Sequence, residues 1–137
     1  MKKGFIMEIG FAELEVAPPS VVKQAAQDVA LALKQTPEYQ LLESAAAALN
    51  ADVEAQQAIE AYRTKQQALQ MMLQLNAVSP EDRLELNRLY QAFALRKSVQ
   101  EYAMAEAAFR ALCQAAGDYL SNRIGFDFAA TASSGCC

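Results

Sequence analysis

From Ser98 onward the chain carries the pattern that most restricts its fold. Val99, Tyr102, Glu106, Phe109, Cys113, Ala116 and Leu120 recur at alternating intervals of three and four. A seven-residue apolar repeat of this kind buries along one seam against another helix. It predicts one continuous helix from about 98 to 124, with Glu106 as a polar break in the seam. Such a break more commonly sets register or reaches the rim than does catalysis. A second stretch, 52–77, follows the same rhythm more loosely through Ile59, Tyr62, Gln66, Leu69 and Leu73. A helix of that length is roughly 39 Å long, comparable to the diameter of a compact globule of this size. The long helices must therefore lie antiparallel, in an elongated bundle. So thin a hairpin has few neighbours in its own chain. Its apolar positions Ile59, Tyr62, Leu69, Leu73, Val99, Tyr102, Phe109 and Leu120 are expected to meet a second chain.

Local signals divide the rest into further helices. Pro18 and Pro19 clear the ground for a helix over 20–35, with Ser20 as N-cap or Pro19 in the first turn. Its apolar stripe is Val22, Ala25, Ala26, Val29 and Leu33. Thr36-Pro37 with Glu38 opens a second helix, to about 49. Asp52 suits the cap of a third, over 52–77. Ser79-Pro80-Glu81-Asp82 is the clearest start, for a helix over 80–95. Ser98 and Glu101 form an S-x-x-E capping-box pattern for the fifth. Gly125 suits the left-handed position past its end. With only 5 glycines and 4 prolines in 137 residues, few breaks remain. The expectation is all-α, with about five helices, two of them long. Residues 1–19 form an N-terminal arm, 20–125 the helical domain, and 126–137 a flexible cysteine-bearing tail that Phe126 and Phe128 dock.

Charge and missing side chains narrow the function. Twelve basic against 16 acidic residues give −4, the wrong sign for a free-standing nucleic-acid binder, so strong direct RNA or DNA binding is not expected. No run approaches the roughly 20 apolar residues of a membrane span. Glu8, Glu13 and Glu15 interrupt the apolar start, which argues against a secretory signal. Three cysteines without a signal point to free thiols in a reducing cytoplasm. The chain has no histidine, which removes Ser-His-Asp and Cys-His arrangements and HExxH zinc sites. There is no glycine-rich phosphate loop. The acids read as a solvated helix face. Arg83, Arg88, Arg96 and Lys97 scatter around their helices and read as surface charge. Met71, Met72 and Met104 fit core filling or an adaptable interface, and Cys113 a small buried hydrophobe. No catalytic residue emerges, and the chain is not expected to be an enzyme.

The exception to blandness is the terminal pair, Cys136 and Cys137. A strained vicinal disulfide, a prenylation site, metal or cluster ligation, and an end without a role are four readings of it. Prenylation lacks an upstream polybasic patch. A four-iron cluster needs four thiolates, and the tail supplies two. Cys113, a second copy or another subunit would complete the set, and ligands split between chains would make the cluster a clamp.

The order of "EYQ" at Glu38–Gln40, "D-x-E-A-Q" at Asp52–Gln56, "V-x-x-Y-x-x-A-E" at Val99–Glu106 and "IGFDFA" resembles the YlbF/YmcA family of small bacterial helical regulators. The likeness runs over about residues 20–128. It implies a non-enzymatic adaptor that pairs through long helices, as a homo-oligomer or with related YlbF, YmcA and YaaT-type subunits. It further implies a 4Fe-4S cluster shared between chains, with Cys136 and Cys137 as ligands, and an influence on mRNA processing by RNase Y. The alternative from residues alone is a metal-free homo-oligomeric scaffold.

Overall fold

The computed structural model describes residues 19–128 and Ala130. The expectations for residues 1–17 and for Cys136 and Cys137 fall outside them. Among the described residues there are six helices and no strand: α1 Pro19–Lys34, α2 Pro37–Ala51, α3 Val53–Ala68, α4 Gln70–Gln74, α5 Pro80–Ala94 and α6 Lys97–Ile124. The chain divides into two units, one reaching Thr36 and the other beginning at Pro37.

In the first unit α1 follows the expected start, with proline in its first turn. Gln35 N–H reaches the carbonyls of Leu31 and Ala32, and the Thr36 hydroxyl donates to Leu33 O at 2.6 Å. These bonds take up carbonyls that the helix end leaves unpaired.

The second unit is built from two antiparallel helix pairs. α2 packs on α6, and α3 packs on α5. The partners follow from folding the chain back at its turn. Tyr39 meets Phe109 edge-on, with ring centroids 5.4 Å apart. Tyr62 contacts Phe93 at 5.2 Å and Tyr90 at 5.9 Å. Lys65 bonds Asp82 at 2.6 Å. α2 passes into α3 through the single residue Asp52, and α5 into α6 through Leu95 and Arg96.

The buried positions are Ala45, Ala55, Leu69, Val78 and Ala105. Ala55 and Ala105 are sealed, at 0% and 1% exposure, and among the described residues no large side chain is fully buried. Alanine at a helix contact brings the backbones close and costs little side-chain entropy. The larger seam residues Leu42, Leu49, Tyr102 and Phe109 are half-buried.

Two expectations are corrected. The third helix is not continuous: it breaks at Leu69, whose φ of −100° and ψ of 2° leave the helical region. Leu69 turns inward and is buried, while α4 carries on as a five-residue helix. Asn76, at φ 51°, then reverses the chain, and Ala77 N–H reaches back to Met72 O at 2.8 Å. Asparagine serves here as the left-handed residue that glycine often supplies. The second correction concerns Ser98. α6 begins at Lys97, with Arg96 in the cap position and no side-chain cap bond.

Candidate functional site

The two interruptions of the hairpin sit side by side, and polar side chains bind them together. Asp52 caps α3 by accepting from Ala55 N–H at 3.0 Å, as the sequence suggests. Its other carboxylate oxygen accepts from the Ser98 hydroxyl at 2.6 Å. The hydroxyl expected to cap its own helix thus ties α6 to the α2–α3 junction. Arg96 Nη2 donates to Glu54 at 2.6 Å and to Asp52 at 3.4 Å. The Ser98 hydroxyl, then the Ala55 N–H, with Arg96 behind them, hold the Asp52 carboxyl below its ordinary value. On the other side of this waist, Gln56 Nε2 donates to Leu49 O at 3.0 Å and satisfies a carbonyl at the end of α2.

Arg96 is therefore no free surface charge. Its partners were hidden because each local pattern had a sufficient local explanation. The signal was available in the hairpin geometry: turning the chain near residue 75 places 52 opposite 98, and 54 opposite 96. The neighbouring cations behave as read. Arg88 makes a bidentate pair with Glu85 at 2.7 and 2.8 Å, and Arg83 bonds Asn76 at 3.2 Å. Glu106 pairs with Arg110 at 2.8 Å on the rim of the seam.

The expected association residues divide into three groups. Ile59, Tyr62, Val99, Tyr102 and Phe109 are half-buried, and Leu69 is buried, with Tyr62 and Phe109 in aromatic contacts inside the chain. Leu73 and Leu120 are exposed. Past Cys113 the half-buried positions of α6 are Gly117 and Ser121, not Ala116 and Leu120. There α6 has outrun α2, and the chain after Gly125 hooks back instead. Gly125 takes φ 69°, its N–H bonds Ser121 O, and Phe128 N–H bonds the Ser121 hydroxyl at 3.0 Å. Phe126 and Phe128 are exposed, so backbone bonds, not docked rings, hold this hook.

A family model described as "Control of competence regulator ComK, YlbF/YmcA" matches residues 22–125. The chain belongs to the YlbF/YmcA family. The match reaches into both units and spans the entire waist. No curated protein and no solved structure matches the chain. Among the described residues of this YlbF/YmcA chain, no three histidine, cysteine or acidic side chains converge as a metal site. Cys113 is a free, half-buried thiol on α6. It offers one ligand, and the described residues do not by themselves fit a four-thiolate cluster. No helix among them is long and apolar enough to cross a membrane.

Proposed function

We propose that this YlbF/YmcA chain is a non-enzymatic regulatory adaptor, acting in the cytoplasm in the control that its family's description names. It assembles with copies of itself or with related YlbF, YmcA and YaaT-type subunits. Through them it influences mRNA processing by RNase Y. Cys136 and Cys137 would supply two thiolates to a 4Fe-4S cluster, and the other two would come from another chain. Held at a junction, such a cluster would bind subunits together. The observation that carries the reading is the family match over nearly the whole helical region. The surface supports it: Met71, Met72 and Leu73 on α4, Leu75 just past it, and Tyr119 and Leu120 on α6 stand exposed, a pattern of association sites.

The test separates the regulatory role from the cofactor. A deletion strain is expected to show altered mRNA-processing profiles, restored by the wild-type chain. Unchanged profiles would sink the RNase Y link. Anaerobic purification with iron and sulfide analysis reads the cluster, and Cys136→Ser with Cys137→Ser should remove bound iron. An iron-free wild type that restores processing would leave a metal-free helical scaffold as the correct reading.

A further inference from the structure

We propose that the hairpin tip, α4 with the end of α3, is a self-association surface on which a second copy of this chain docks through the same residues. The inference rests on the assembly reading above and assigns it a face. Most seam residues first expected to meet a partner are engaged inside the chain. The tip is not: Met71 is 74% and Leu75 71% exposed, with Met72 and Leu73 also open. Beside them runs a shallow groove of about 600 Å³, lined by Gln66, Gln67, Gln70, Leu73 and Gln74.

Charge decides the occupant. Gln66 to Pro80 is fifteen residues without a charged side chain, the longest such run in a chain of net charge −4. At its margin Lys65 pairs with Asp82 and Arg83 bonds Asn76, while Glu81 stands exposed just past Pro80. A surface that meets its own copy across a two-fold axis faces identical groups. Charges there repel themselves. Amides do not, because each glutamine both donates and accepts. Methionine adapts its shape to whatever it meets. A four-glutamine groove edged by methionine and leucine is thus self-complementary. The absence of basic residues disfavours an anionic membrane as the occupant.

Sedimentation equilibrium of the full-length chain under reducing conditions tests this. The wild type is expected to self-associate. Gln70→Glu with Gln74→Glu, and separately Gln70→Lys with Gln74→Lys, should each weaken association at least about tenfold, because like charges then face one another. An equimolar mixture of the two variants should associate again. Both positions in play are exposed, and helical circular dichroism confirms that each variant is folded. If the wild type associates and both variants match it, the tip inference is overturned while the assembly reading stands. A wild type that stays monomeric to ~100 µM overturns self-association itself and leaves the tip to a partner of another sequence.

Discussion

Asp52 accepts from the backbone of its own helix, from Ser98 and from Arg96, and its ionisation is linked to folding. Its carboxyl is held below the ordinary 3.8 by these donors. The same holds for Asp82, through Lys65 first and then Ser79. A lowered folded-state value means that the unfolded chain binds the proton first. The stabilisation is therefore present above about pH 4, and it is lost as pH falls through the lowered folded-state values. Thermal melts from roughly pH 2 to 7 should show this acid-side loss. Asp52→Asn keeps one acceptor oxygen, replaces the other with an NH2 donor and removes the charge. It should lower Tm by several degrees at pH 7 and flatten the acid slope. A slope unchanged in the variant would assign the acid sensitivity elsewhere. Ala105 poses the opposite problem, since nothing polar is at stake. Sealed at 1% exposure, it leaves no room for a larger side chain, and Ala105→Leu should cost about 1–3 kcal/mol. Ala103→Leu, on the exposed side of the same helix, should stay within about 0.5 kcal/mol. Chemical denaturation of the pair checks the contrast.

At the level of elements, helix starts were legible wherever a short-range device makes them. Ser79 accepts from Asp82 N–H at 3.1 Å and opens α5 as its sequence implies. Asp52 likewise caps α3. What could not be read locally was decided by a distant partner. The capping-box spelling at Ser98 is real, yet Asp52 offers a charged acceptor, and a charge-assisted bond is about twice as strong as a neutral one. The heptad of α6 was legible only as far as α2 faces it. Beyond Cys113 the hook after Gly125 bonds Ser121, and the half-buried positions shift to Gly117 and Ser121. The break at Leu69 has no glycine or proline to announce it. Gly125 is the opposite case: its role was legible because few other residues accept φ 69°. A Cβ there would meet nothing within 4 Å, so the cost of Gly125→Ala is torsional alone, on the order of 1–2 kcal/mol. It should appear as fraying of the last turn of α6 and of the Phe128–Ser121 bond, read by faster amide exchange over 121–128. Asn at the same position should restore part of the protection.

At the scale of the whole molecule, the second unit is two helix pairs sharing a polar waist. The pairs are unequal. α2 and α6 make the more extensive contact and bring in Ala45 and Ala105, both buried. α3 and α5 rely more on half-buried aromatics and on the Lys65–Asp82 bond. Local stability follows packing density and burial. Amide exchange should therefore be slowest through the middle of α2 and α6, intermediate in α3 and α5, and fastest in α4 at low concentration. Replacing Arg96 with methionine removes the donor that bridges Glu54 and Asp52 while keeping an apolar stem of similar reach. Exchange should then accelerate through α3 and α5, while the centres of α2 and α6 keep their protection. Uniform acceleration across all four helices would show instead that the unit opens as one body, with the waist as part of a single cooperative core. The pair that loosens carries the hairpin tip at its far end. If the waist sets how firmly α3 and α5 are held, it also sets how well α4 is presented to a partner. The Arg96 variant should then weaken self-association without touching the tip itself, a coupling that sedimentation of that variant measures directly.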